Sequence, residues 1–140
     1  IGPGFPMGDA RGRPLIVALS GTGVAAGRPI VRRRIAEDDA ERTQVLVGIR
    51  RRGELPTRGD LEAWIQAGVD VLVCLSKDDG PIEGIRYAHG YVQDVLREGK
   101  RTLSLESGHI FAVGMSSMID ALKALSPELG VPRGHVHTNH

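Results

Sequence analysis

One cysteine, Cys74, stands in a chain of 140 residues, so no internal disulfide is possible and a reducing compartment is the natural setting. Aromatic residues are scarce at 4%, which excludes the rows of rings that stack single-stranded bases. Neither sign of charge dominates. Lys and Arg number 18 against 17 for Asp and Glu, a formal net charge of +1, and this removes the electrostatic case for a nucleic-acid or other polyanionic partner. No apolar run approaches the roughly 20 residues that a membrane-spanning helix needs. The first residues, Ile1-Gly2-Pro3-Gly4, lack the basic and then apolar pattern of a signal region and lack an initiator Met. They are expected to be a cut end, and the chain is expected to be cytoplasmic. What is abundant is glycine: 19 of 140 residues, near double the usual share of about 7%. The length is that of one ordinary domain, able to bury roughly two-thirds of its unfolded surface.

Short apolar runs, rich in β-branched residues, alternate with helical patterns. Residues 15–19 (Leu-Ile-Val-Ala-Leu), 45–49, 69–75 and 110–114 are the clear runs, and 134–138 is a weaker fifth. Continuous apolar runs of this length suit strands covered on both faces, as in a parallel sheet. Between them, residues 24–37 carry Val24, Ile30, Val31 and Ile35 at helical spacing, with Arg32, Arg33 and Arg34 outward and Pro29 in the first turn. Residues 60–67 place Leu61, Trp64 and Ile65 on one face, with Thr57 or Asp60 as cap. Tyr91, Val92, Val95 and Leu96 form a further stripe closed by Gly99, and residues 117–125 a last one stopped by Pro127. The expectation is an α/β, Rossmann-like domain with about five parallel strands and helices on both faces. The first dozen residues read as an irregular lead-in.

Ser20-Gly21-Thr22-Gly23-Val24 falls where the first strand ends and the first helix opens. In open α/β sheets ligands bind outside such strand ends, and free helix N–H groups favour a phosphate there. Thr22 adds a hydroxyl donor. The stretch is not a P-loop, because no Gly-Lys-Ser/Thr follows, and Gly21, Gly23 and Gly27 only approach the G-x-G-x-x-G spacing. A ligand loop and a plain tight turn both fit the residues.

The run from Leu15 to Ala25 resembles the G-G-T-G-I-A-P loop of ferredoxin–NADP reductase-like flavoproteins. Arg58-Gly59-Asp60-Leu61-Glu62-Ala63-Trp64 is similar to that family's Y-R-x-E-L-E-x-W helix start, and Gly90-Tyr91-Val92-Gln93-Asp94 to its G-Y-V-T-D segment. Val113-Gly114-Met115-Ser116-Ser117-Met118-Ile119-Asp120-Ala121 lies where C-G-P-P-P-M-I-x-A belongs. Leu129-Gly130-Val131-Pro132, then His135-Val136-His137-Thr138, resembles the family's closing L-G-V-P-x-x-x-I-H-x-E. Gly2-Pro3-Gly4-Phe5-Pro6 looks like the end of a preceding flavin-binding barrel. The resemblance runs in order along nearly the whole chain.

The resemblance implies the pyridine-nucleotide half of a flavin-dependent NAD(P)H oxidoreductase: residues 14–140 as the NAD(P)-binding domain and 1–13 as the lead from a flavin-binding barrel. By it, Ser20, Gly21, Thr22, Gly23 and Val24 would hold the pyrophosphate of NADH or NADPH, and Val113, Gly114 and Met115 would lie near the nicotinamide. Arg50, Arg51 and Arg52 would flank the adenosine, and Ser76-Lys77 would sit where NADP-preferring members carry a Ser-Arg pair. Lys lacks the bidentate fork of Arg, and Asp78-Asp79 beside it disfavours a further phosphate. FAD would enter only through a separate flavin domain, and an electron-acceptor protein would complete the set of partners. The chain also departs from the pattern. The family's loop Cys falls on Val113, its prolines on Met115, Ser116 and Ser117, its first loop glycine on Ser20 and its loop proline on Ala26. These departures keep a rival in view, a degenerate, non-catalytic module of the same fold used for nucleotide sensing or protein contacts.

Other groupings have plainer readings. Cys74 lies mid-run and reads as a buried structural thiol. The arginine trio also fits a solvated turn. His135, His137 and His140 are close in sequence but lack an acidic or Cys partner at metal-binding spacing. Asp78, Asp79 and Glu83 sit in a Gly/Pro-rich loop as turn residues.

Overall fold

The computed structural model describes residues 7–55, 58–99 and 104–138. Six parallel strands form one sheet: β1 Leu15–Ser20, β2 Thr43–Ile49, β3 Asp70–Leu75, β4 Tyr87–His89, β5 His109–Val113 and β6 Val136–Thr138. Their order is β4-β3-β2-β1-β5-β6, so β1 is central and chain order reverses between β1 and β5. The central strands are buried on both faces, which explains their uninterrupted apolar runs: residues 15–19 and 45–47 are fully inaccessible.

Two cores result. On one face Val17, Leu19, Val45, Val47 and Phe111 pack with Ile30 and Val31 of helix α2 (Val24–Ala36) and Leu61 and Trp64 of α3 (Arg58–Gln66). On the other, Ile16, Ala18, Leu46 and Ile110 pack with Val95 and Leu96 of α4 (Val92–Arg97) and Met118, Ile119 and Leu122 of α5 (Ser116–Leu125). Each fully buried Leu, Ile or Val contributes about 1.5–3 kcal/mol. The doubly wound α/β expectation therefore holds.

Several local expectations change. The sheet has six strands because β4 adds a three-residue edge in which only Ala88 is buried, too short to leave an apolar run. Pro29 lies inside α2 and not in its first turn, at the cost of the bond its N–H would have given to Ala25. Asp60 is a first-turn residue of α3, 2.6 Å from Arg28 Nε, and not its cap; Thr57 lies outside the described residues. The lead-in carries a helical turn, α1 (Met7–Ala10), whose Ala10 is buried in the first core. Gly2 to Pro6 lie outside the described residues.

The largest correction concerns Arg34, which points inward and is 2% exposed. Its Nε donates to Thr43 Oγ1 at 2.8 Å, Nη1 to the Ala10 carbonyl at 2.8 Å, and Nη2 to the Arg13 carbonyl at 2.6 Å and the Arg42 carbonyl at 3.2 Å. Asp39, also buried, lies 3.5 Å from Nη1 and accepts the Gly12 N–H at 2.9 Å. Position 34 continues the stripe Val24, Gly27, Ile30, Val31 that α2 turns to the sheet. Its guanidinium thus reaches past the apolar face and ties the segment before β1 to the start of β2.

Candidate functional site

Where strand order reverses, the loops leaving neighbouring strands diverge and open a crevice at their carboxyl ends. Here that place lies between β1 and β5. Ser20 closes β1 in extended conformation; Gly21–Gly23 form a single 3₁₀ turn, and α2 begins at Val24. Gly21 has φ +58° and open space where a side chain would begin, so the turn is exposed and suited to glycine. Gly23 is pressed against β5: a Cβ there would lie 2.7 Å from the Val113 carbonyl oxygen. Across the crevice Gly114 has φ +139°, and Met115 caps α5. The Met115 N–H donates to Ser20 Oγ at 3.0 Å.

Seven predicted residues thereby meet at one point: Ser20, Gly21, Gly23 and Val24 from the first loop, and Val113, Gly114 and Met115 from the fifth strand and its loop. Val24 is buried and can offer only backbone, whereas Met115 is 67% exposed. The backbone of Thr22 lies between them; its side chain is outside the described set. The exposed turn, the opening of α2 and the start of α5 bring the amino ends of two helices to the crevice, a setting whose dipoles suit an anionic group.

The second predicted group is assembled at the ends of β2 and β3, one and two strands from β1, about 5 and 10 Å across the sheet at ordinary strand spacing. The ladder between β2 and β3 continues past both strands, with Ser76 N–H on the Ile49 carbonyl at 3.1 Å and Lys77 N–H on the Arg50 carbonyl at 2.8 Å. Arg51 Nη1 donates to the Lys77 carbonyl at 3.2 Å, and Arg50 lies 3.4 Å from Glu54. Asp78 organises the turn, accepting the Arg52 N–H at 3.0 Å and the Gly80 N–H at 3.2 Å. The Arg52 N–H is the main reason its carboxyl titrates below the ordinary aspartate value. Arg50, Arg51, Ser76 and Lys77 are thus joined, with Lys77 and the arginines exposed and a carboxylate held ionised beside them.

The remaining groups lie elsewhere. Cys74 is buried in β3, and burial pushes its thiol up to about 12. His135 and His137 join His109, which the sequence reading missed because it opens an apolar strand. The His109 ring stacks on His135 with centroids 4.0 Å apart, and its Nδ1 lies 3.0 Å from His137 Nε2. Burial first, then His135 and His137, bring His109 down to about 4; burial and His135 lower His137 as well. This cluster is at the amino ends of β5 and β6, the opposite edge from the crevice, and His140 lies outside the described residues. Among the described residues no group of three His, Cys, Asp or Glu side chains is placed to hold a metal ion. A cavity of about 560 Å³ is lined by Leu72 and residues 84–88 at the β4 edge, apart from both predicted groups.

Comparison with known proteins adds a family. The model of the oxidoreductase NAD-binding domain matches residues 17–124. Ferredoxin–NADP reductase B of Sorangium cellulosum (strain So ce56) is 33% identical over 143 residues, covering 96% of this chain and 54% of the relative. The chain therefore spans about half the length of that curated relative. Among solved structures, the Amycolatopsis cytochrome P450 reductase GcoB matches with a TM-score of 0.76 at 22% identity, over 96% of this chain and 39% of the other. A ferredoxin NADP+ reductase from Neisseria gonorrhoeae with bound FAD and NADP matches with a TM-score of 0.73 at 12% identity, over 94% of this chain and 58% of the other. At these identities the structural matches establish the fold.

Proposed function

The chain belongs to the oxidoreductase NAD-binding domain family, and on that premise we propose that it is the pyridine-nucleotide-binding half of a flavin-dependent NAD(P)H oxidoreductase. The observation that carries this is the convergence of the Gly21–Gly23 turn and the Val113–Met115 segment at the point where strand order reverses. Backbone N–H groups of the turn and of the α2 start would receive the pyrophosphate, because no Cβ blocks the approach at Gly21. Val113, Gly114 and Met115 would bound the nicotinamide end. Arg50, Arg51, Ser76 and Lys77 would flank the adenosine end. When bound, the cofactor supplies a hydride, which a flavin on a separate domain takes up.

The chain's own part is orientation and charge. Val113 offers a hydrocarbon wall where the resembling family has a thiol, so it can shape the crevice but neither donate nor accept a proton. Lys77 and the arginines favour an extra phosphate at the adenosine end, while ionised Asp78 opposes one; NADH and NADPH are both retained as ligands. Residues 14–140 are assigned to this domain and residues 1–13 to the connection with a flavin-binding barrel, in keeping with a curated relative nearly twice as long. FAD would be held by that barrel, an electron-acceptor protein would take the electrons onward, and a cytoplasmic setting fits the unpaired Cys74. No described helix is long and apolar enough to cross a membrane.

Calorimetric titration of the 140-residue chain with NADH and NADPH tests the reading. Weak binding is expected, near about −4 to −5 kcal/mol, since phosphate contacts are present and the flavin platform is not. Absence of heat from both nucleotides at millimolar concentration (about −4 kcal/mol) would overturn it and favour the degenerate module of the same fold, used for protein contacts, that Val113 and Ser20 keep in view.

A further inference from the structure

Ser20 and Met115 are 95 residues apart in sequence and joined by one hydrogen bond across the crevice. A donor and an acceptor are both required for it. Met115 has φ −65° and ψ 136°, a conformation open to proline, yet the residue present keeps its N–H and gives it to the Ser20 hydroxyl. Gly114 is shaped around the same hydroxyl: a Cβ at that position would collide with Ser20 Oγ and lie 2.9 Å from the Ser20 carbonyl oxygen. The consequence reaches into α5. The Met115 carbonyl accepts the N–H groups of Met118 at 3.1 Å and Ile119 at 3.2 Å, so whatever fixes the Met115 peptide fixes the first turn of the helix.

We propose that Ser20 is a positioning residue of the strand-end crevice: by accepting the Met115 N–H it holds the start of α5 against the end of β1 and sets the gap in which a dinucleotide lies. The inference rests on the nucleotide-binding reading. It assigns to Ser20 a positioning role that stands beside any phosphate contact: the Oγ accepts the Met115 N–H, and the hydroxyl keeps its own hydrogen to donate. It also links two features of the chain, the hydroxyl at position 20 and the N–H at position 115, as halves of one device.

A double-mutant cycle isolates the bond. Ser20→Ala removes the acceptor; Met115→Pro removes the donor and fits the existing φ. Folding of each variant is checked by fluorescence of Trp64, which is buried. Amide exchange at Met118 and Ile119, measured without nucleotide, is expected to quicken about fivefold in either single variant and no further in the double. NADH affinity should fall about fivefold in the same non-additive pattern. Unchanged exchange in Ser20→Ala, or additive effects in the double, would overturn the device. If the parent chain binds NADH and Ser20→Ala binds it equally well, the positioning role fails and the nucleotide reading survives. If exchange follows the cycle but the parent chain binds neither NADH nor NADPH, the nucleotide reading fails and with it the role in setting a dinucleotide gap.

Discussion

Replacing Arg34 by Met should destabilise the fold more than loss of any exposed charge on α2. The substitution keeps an unbranched stem of similar volume, so the packing of α2 on the sheet is little changed. What disappears is a guanidinium making four hydrogen bonds and an ion pair at 3.5 Å, all but inaccessible to water. Burial lowers the Arg34 pKa and Asp39 and Glu37 pull it back up, but an arginine stays charged in either case. Its removal leaves the buried Asp39 carboxylate to be balanced by the Gly12 N–H and by Arg42, equally near at 3.4 Å but half-exposed to water. Breaking a buried pair from one side costs about 3–5 kcal/mol, against a total stability of about 5–15 kcal/mol for a domain of this kind. Urea unfolding followed by Trp64 fluorescence should show a lower midpoint with little change in slope. Arg33→Met, on the same helix but paired with Glu37 at the surface, should cost at most about 0.5 kcal/mol. Adding Asp39→Asn to Arg34→Met should cost less than the two single losses summed, since neither charge is then left alone. An Arg34→Met loss below about 1 kcal/mol would refute the view that this side chain organises the amino edge of the sheet.

Acid should weaken the fold through His109. Its folded pKa of about 4 lies below the unfolded value of about 6.5, so between these the unfolded chain holds a proton that the folded chain does not. Stability is therefore full above about 6.5 and falls as pH drops toward about 4; the step from 6.5 to 5 alone costs about 2 kcal/mol, and His109→Phe should flatten that slope in urea midpoints. Gly114→Ala should cost about 2–3 kcal/mol, because it combines a left-handed backbone with a Cβ driven into Ser20; an equal midpoint would contradict the geometry. Cys74 should resist a thiol-specific reagent in the folded protein and react fully on unfolding, since burial pushes the thiol up to about 12; rapid labelling in buffer would show the strand to be open.

The central strands were legible because burial on both faces leaves an unbroken apolar signature, and the glycines marked the ends that face the crevice. β4 was illegible for the converse reason: an edge strand with one buried residue is written like a loop. Arg34 was hidden by its neighbours. A run of three arginines suggests a solvated face, although position 34 falls on the inward stripe with Ile30 and Val31, and that spacing could have singled it out. His109 opens an apolar run, which masked its pairing with histidines a strand away. The bond between Ser20 and Met115 could not be read at all, since no local pattern relates residues so distant in the chain.

The strand ends divide the labour of the domain. The amino edge holds the Arg34–Asp39 cluster and the stacked histidines, while the carboxyl edge holds both groups of candidate ligand contacts. Between them stands the six-residue length of β1, about 17–20 Å of rigid, buried sheet. Separations of that size leave little room for energetic cross-talk. The sheet thus acts as an insulator as much as a platform. Ligand preference at one edge can drift through substitution while the other goes on supplying stability, and an altered crevice need not bring a weakened fold.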